Sequence, residues 1–169
     1  YLAEFLSDPR VVELPQALWK PILHGIILRT RPRKSALKYA SIWMPEGSPL
    51  KVWTERQTQA LRTLLATDGV RVEYAMRYGS PALPDVLDQL KAQGVTRMLV
   101  LPLYPQYCAA TTGSVIDALA LWVQQIRRVP ELRIVNDFHD DAGYLDALSA
   151  SIRAEWSRRQ RAERLVLSF

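Results

Sequence analysis

The sequence predicts an α/β fold, a doubly wound parallel sheet of about four strands with flanking helices, preceded by a helical lip. Three observations carry that expectation. From Val70 onward, apolar runs of strand length alternate with stretches of helical spacing. The run Thr96 to Leu103 contains the apolar Met-Leu-Val-Leu-Pro-Leu, the mark of a strand covered on both faces. Residues 1 to 66, in contrast, carry only helical spacing, interrupted by Pro9, Pro15, Pro21, Pro32, Pro45 and Pro49 at segment ends or kinks.

Taken in order, Ser48 and Pro49 form a cap and first-turn pair. Leu50, Trp53, Gln57, Ala60, Leu61, Leu64 and Leu65 follow at helical spacing. Val70 to Met76 reads as the first strand, and Ser80-Pro81 opens a helix ending near Gly94. Thr96 to Leu103 is the second strand, and Thr111 or Thr112 caps a helix running to about Arg128. Leu132 to Val135 is the third strand, Ala142 to about Arg159 a helix, and Arg164 to Phe169 the fourth strand. Strands joined by crossover helices are parallel neighbours, connected right-handedly and covered on both faces. Residues 1–169 thus read as a single α/β lobe: 1–66 the lip and first crossover helix, 70–169 the alternating units.

Composition narrows the function classes. One Cys in 169 residues excludes a disulfide framework and any zinc or iron–sulfur site built from this chain's thiolates alone. The longest uncharged stretch, Met98 to Ile116, contains two prolines and several polar residues, so it is no membrane span. The opening residues lack the basic start of a signal peptide, and the last read as a strand without its turn, so both ends read as internal. The 22 basic residues against 17 acidic give a pI of 9.6, yet the cations sit in a cluster from Arg29 to Lys38 and along 153–164 without any RNA- or DNA-binding motif. No nucleic-acid partner is expected.

Ligands of open parallel sheets sit outside the carboxyl ends of the strands. The candidates are therefore Arg77 and Tyr78, then Tyr104, Gln106, Tyr107, Cys108, Thr111 and Thr112, then Asn136, Asp137, His139 and Asp140. A forked cation beside an amphipathic ring suits a carboxylate on an apolar body, with a structural ion pair as the alternative for Arg77. The Thr hydroxyls precede a helix start, where free N–H groups favour anions and where capping is also expected. No GxGxxG follows a strand and no GxxxxGK[ST] occurs, which argues against dinucleotides and nucleoside triphosphates. His24 reads as a helix-face residue. His139 with Asp137, Asp140 and Asp141 has the donors of a metal site but also the composition of a helix start, so no metal ligation is expected. Cys108 has no His beside it and reads as an unreactive thiol.

These loops carry a resemblance. Phe-Leu-Ser-Asp-Pro-Arg-Val-Val-Glu-Leu-Pro at 5–15, Lys-Tyr-Ala-Ser-Ile-Trp with Glu-Gly-Ser-Pro-Leu at 38–50, Met-Arg-Tyr-Gly-Ser-Pro at 76–81 and Leu-Pro-Leu-Tyr-Pro-Gln-Tyr with Thr-Thr-Gly-Ser at 101–114 resemble the amino-terminal half of ferrochelatase, the protohaem ferro-lyase, in its proteobacterial style. The resemblance implies a Rossmann-like, chelatase-like fold and insertion of Fe²⁺ into protoporphyrin IX, with the macrocycle held between two similar lobes. It matches Arg77, Tyr78, Ser48, Lys38 and Tyr39 to positions that contact the porphyrin or line its pocket, and Tyr107 through Thr111 and Thr112 to the inner wall.

It also implies what this chain lacks. The family's metal-handling His would follow Phe169, and its Glu and the whole second lobe would come later still, so no catalytic residue is expected within 1–169. No cofactor is expected, Fe²⁺ being a substrate. A [2Fe–2S] cluster is not expected either, because Cys108 sits one place before the family's ligand position, which Ala109 occupies. The competing readings are a non-catalytic porphyrin- or haem-binding module and a chelatase for another tetrapyrrole or metal. Relatives of the latter kind are typically shorter and lack the lip of residues 15–45.

A cytoplasmic protein is expected, with peripheral contact at the inner membrane as an added reading. The apolar segment 21–28 followed by Arg29, Arg31, Arg33, Lys34 and Lys38 has the composition of a reversible bilayer anchor. The alternative is that Ile22, Leu23, Ile26 and Ile27 pack over the pocket mouth or the core.

Overall fold

In the computed structural model, which describes residues 1–159 and 161–167, the helical first part comprises α1 (Leu2–Ser7), α2 (Gln16–Ile22), α3 (Leu28–Ala40) and α4 (Pro49–Leu64). Pro15 caps α2, whereas Pro21 and Pro32 lie inside α2 and α3 and so, of the expected segment ends or kinks, mark no segment end. The missing N–H of Pro21 is followed at once by a π-helical stretch, Leu23–Ile27, which widens the helix and carries it on. Leu23 is the buried residue of this lip, while Ile22 and Ile26 face outward.

Ser48 caps α4 as its sequence dictates, its hydroxyl accepting from the Lys51 N–H at 3.3 Å with Pro49 in the first turn. The predicted apolar stripe of α4 is not what the helix buries. Val52, Thr54 and Thr58 are its buried residues, whereas Leu50, Trp53, Leu61 and Leu64 are exposed. Among the described residues no layer packs against that stripe.

The expected first strand is replaced by an extended segment. Residues 70–76 pair with no neighbouring strand; the Arg62 Nε donates instead to the Val72 carbonyl at 2.8 Å, and only Met76 forms a bridge, to Ala82. The helix α5 (Leu83–Ala92) begins later than expected, because the bridge to Ala82 holds the Ser80-Pro81 turn outside it. Strands β1 (Arg97–Val100) and β2 (Glu131–Ile134) pair in parallel, with Met98 opposite Leu132 and Val100 opposite Ile134. Pro102, which has no N–H to donate, explains why β1 stops short of Leu103.

Between the strands runs α6 (Ser114–Gln125), and α7 (Ala142–Arg158) follows β2, capped by Asp141 accepting from the Tyr144 N–H at 2.9 Å. The core lies on one side of the sheet: Leu83, Leu87, Met98, Val115, Ala118, Leu119 and Trp122 close around it. The opposite face is open, with Leu99 67% exposed, contrary to the expected cover on both faces. Residues 164–167 are irregular rather than a strand; Ser168 and Phe169, the end of that expected strand, lie outside the described residues. The described chain therefore mixes helices with a small, two-stranded parallel sheet rather than four strands. None of its helices is long and apolar enough to cross a membrane.

Candidate functional site

A buried polar cluster forms where the turn after α1 meets the turn after residues 70–76 and the start of α6. Asp8, buried, is its centre. Its Oδ2 accepts from Arg77 Nη2 at 2.7 Å, from the Tyr78 hydroxyl at 2.7 Å and from the Ser114 hydroxyl. Its Oδ1 accepts from the Arg10 backbone N–H at 2.7 Å. Arg77 Nε in turn donates to the Ser114 hydroxyl and carbonyl oxygens at 2.7 and 2.9 Å. Burial by itself would raise the Asp8 carboxyl, but the donated hydrogen bonds of Ser114, Tyr78 and Arg10 and the Arg77 charge outweigh it and hold the group below the ordinary carboxylate range.

Tyr78 carries the same network outward. Burial, together with the Asp8 carboxylate, pushes its phenol up to about 12, so it stays a protonated donor. The Phe5 ring meets it edge-on with centroids 5.4 Å apart, and the Arg77 guanidinium lies 4.6 Å over its centroid. The next residue, Gly79, has φ of 84°, a left-handed conformation that glycine adopts without strain, and its N–H donates to Glu4 Oε2 at 2.7 Å. The turn is thus fastened to α1 at two points.

The loop from β1 to α6 supplies the adjoining wall. It closes in a π-helical turn, Ala109–Gly113, so α6 begins at Ser114 and not at a threonine cap. The Thr111 hydroxyl donates to the Cys108 carbonyl at 3.2 Å, and Thr112 is wholly buried with its hydroxyl unpaired. Gly113 is closely approached: a Cβ there would meet the Tyr107 hydroxyl oxygen at 3.2 Å, so that side chain would have to shift slightly, and Arg10 Nη1 at 3.7 Å. Arg10 also grips Asp117 of α6 in a two-pronged pair at 2.7 and 2.9 Å. Tyr107 therefore stands beside the Arg10 and Asp8 cluster with its ring exposed.

The remaining predicted residues sit on the lip side. The Tyr1 phenol is raised first by burial and then by the charges of Tyr39 and Tyr104. Its own ring meets Tyr78 edge-on at 6.2 Å. Lys38, at the end of α3 beside Tyr39, is exposed. Ser48 uses its hydroxyl to cap α4, which leaves no hydrogen bond from it to the cluster. The structure thus joins Arg77 and Tyr78 in the Asp8 network, sets Tyr107 beside Arg10 and Gly113, and gives Thr111 and Ser48 local hydrogen bonds, while Thr112 is buried with its hydroxyl unpaired.

Arg77 makes the structural ion pair that the sequence left as the alternative, yet its role at the rim survives it. The pairing occupies Nε and Nη2, while Nη1 makes no hydrogen bond among the described residues and the side chain is 25% exposed. A fork for a substrate carboxylate becomes a single donor. Asp8, Arg10, Ser114 and Asp117 were not among the predicted site residues. The one signal for Asp8 and Arg10 was their place inside the 5–15 motif, and for Ser114 its place at the end of the 101–114 motif; nothing local marks Asp117. Away from this rim, Asp137, His139 and Asp140 place their donor atoms within 4.8 Å of one another on the surface, with the Asp137 carboxylate 3.5 Å from His139 Nδ1. His24 faces solvent in the lip, and Cys108 is exposed.

A protein-family model described as ferrochelatase matches residues 1–169. Similar proteins named ferrochelatase include those of Methylibium petroleiphilum, 64% identical over 171 residues, Polaromonas sp. strain JS666, 59% identical over 171, and Azoarcus sp. strain BH72, 58% identical over 170. Each comparison covers 100% of this chain and 47% of the relative, so the chain spans about half the length of the curated relatives it matches.

Proposed function

Since the chain belongs to the ferrochelatase family, we propose that residues 1–169 form the amino-terminal lobe of an enzyme that inserts Fe²⁺ into protoporphyrin IX to give protohaem. The observation that carries this reading is the turn at Arg77 and Tyr78, where the guanidinium lies over the Tyr78 ring, the rings of Tyr1 and Phe5 meet it edge-on, and Tyr107 stands beside the same network. A flat apolar macrocycle bearing carboxylates asks for aromatic walls and a few cations. In this reading Lys38, Tyr39, Ser48, Arg77, Tyr78, Tyr107, Thr111 and Thr112 contact the porphyrin or shape its pocket.

The lobe's task is positioning. Metal insertion requires the macrocycle to bend so that its two pyrrole N–H groups become accessible, and a base to accept their protons. Here the lobe holds and bends the ring, while a His and a Glu outside 1–169 handle metal and protons. Fe²⁺ is a substrate and no further cofactor takes part. The exposed stripe of α4 and the open face of the β1–β2 sheet fit a larger, doubly wound sheet of about four strands completed by the rest of the protein. A cytoplasmic enzyme is inferred. Peripheral contact with an anionic membrane through 21–38 is the second element of the proposal, favoured by the outward Leu18, Ile22 and Ile26 next to exposed cations.

The test is spectroscopic. The full-length protein given protoporphyrin IX and Fe²⁺ or Zn²⁺ should convert the free-base spectrum to that of the metalloporphyrin, whereas residues 1–169 alone should give no rate above the uncatalysed one. No conversion by the full-length protein, with porphyrin binding intact, would favour a non-catalytic porphyrin-binding module.

A further inference from the structure

Asp8 is the one buried carboxylate of the rim, and its surroundings say what it does. Both its oxygens are filled by the chain itself: Arg77, Tyr78 and Ser114 donate to Oδ2 and the Arg10 backbone to Oδ1. A carboxylate so paired, its side chain 4% exposed, is held by the chain rather than offered to a ligand.

What the arrangement fixes is its neighbours. Arg77 has a long, flexible side chain, and its guanidinium is held at Nη2 by Asp8 and at Nε by Ser114, which leaves Nη1 without a hydrogen bond among the described residues. The Tyr78 hydroxyl is tied to Asp8 and Ser114, which fixes the orientation of its ring. Two side chains that a mobile turn would scatter thus share one anchor, which comes from a segment 69 residues earlier than Arg77.

We propose that Asp8, with Ser114 as its bridge, is a positioning residue that sets the reach of Arg77 and the ring orientation of Tyr78 toward the porphyrin; this rests on the chelatase reading above. An amide in place of the carboxylate removes the charge that Arg77 answers and sets N–H groups against donors. Release of both rim side chains follows.

In the full-length enzyme, Asp8→Asn should raise the porphyrin KM about tenfold to a hundredfold, the equivalent of one charge-assisted hydrogen bond, with the metal KM unchanged. Simple loss of folded molecules would instead lower the apparent kcat and move neither KM. In an Arg77→Ala background Asp8→Asn should add little, because its effect passes through Arg77. Ser114→Ala, a smaller change, should show the same selective rise if Asp8→Asn accumulates poorly. Unchanged porphyrin KM in folded variants, or full additivity with Arg77→Ala, would overturn the proposal. If the wild-type enzyme inserts no metal, the functional reading fails separately. The same cycle read as porphyrin Kd by fluorescence quenching then decides Asp8, equal affinity of wild type and Asp8→Asn counting against it.

Discussion

Between Leu83 and Trp122 seven buried apolar side chains close into one cluster, whereas from residue 1 to 66 the buried hydrophobics are Leu23 and Val52. The second region is a parallel crossover unit whose strand and helix faces meet locally, so its sequence buries its own surface. The first is a set of proline-punctuated helices joined to it through a polar knot: Asp8 with Arg77, Tyr78 and Ser114, and Arg10 with Asp117. Burial of apolar area is non-directional, but hydrogen bonds fix orientation. The helical region is therefore fastened in a set orientation by directed contacts, and the crossover unit by packing.

The largest effect should come from breaking the packed region. Trp122 is 2% exposed, and its indole N–H donates to Asp88 Oδ1 at 2.8 Å. Trp122→Ala in the complete protein should cost about 3–5 kcal/mol of stability, measured by chemical denaturation. Leu18→Ala, at an outward position of the lip, should stay within about 0.5 kcal/mol. Comparable losses at the two positions would erase the contrast between the regions.

Next in size is Arg77→Ala, expected to cost about 1.5–3 kcal/mol in kcat/KM for porphyrin. Unaltered kinetics would reduce Arg77 to a purely structural ion pair with Asp8.

The knot should also respond to pH in a way the apolar core does not. Asp8 is held below its ordinary value, so its contribution is complete above about pH 4, the unfolded carboxyl range, and is lost as pH falls through the lowered folded value. Tyr78 is raised to about 12, so its contribution is complete below about pH 10 and is lost as pH climbs toward 12. Tyr78→Phe, which keeps the ring and cannot ionise, should flatten the stability profile between those alkaline limits. An unaltered profile would place the titration elsewhere.

How much of this was legible beforehand follows the same division. The helices after Ser48 and Ala142 were readable because their caps are local, and the β1–α6–β2 unit because its apolar runs belong to the unit itself. Residues 70–76 have a strand's composition, but a strand exists only with a partner, and Arg62 supplies the contact instead. The stripe of α4 was right as a pattern and wrong as a buried face, since periodicity shows which residues share a side and not what covers it. Arg77 and Tyr78 stood out at a turn. Ser114 closed the Thr-Thr-Gly-Ser motif, but its bond to Arg77, 37 residues away, advertises nothing until the chain folds.

The smallest expected effect per residue lies in the lip, and it tests what the loosely packed region is for. Leu18, Ile22 and Ile26 recur at four-residue spacing along α2 and the widened turn after it, all outward, and exposed Arg29, Arg31, Arg33 and Lys34 follow. The alternative in which Ile22 and Ile26 pack onto the core finds no support among the described residues, since Leu23 is the side chain that turns inward. Each cation near an anionic bilayer contributes about 1 kcal/mol, falling off within a Debye length, so no single one decides attachment while several together do. The full-length protein should co-sediment with vesicles containing anionic lipid at low salt. Changing Arg29, Arg31, Arg33 and Lys34 together to Glu should abolish this, and any one alone should weaken it by about fivefold. Lack of co-sedimentation by the wild type would assign the stripe to covering the pocket mouth, and the directed contacts of the knot would then serve a lid over the porphyrin in place of a membrane-docked entrance.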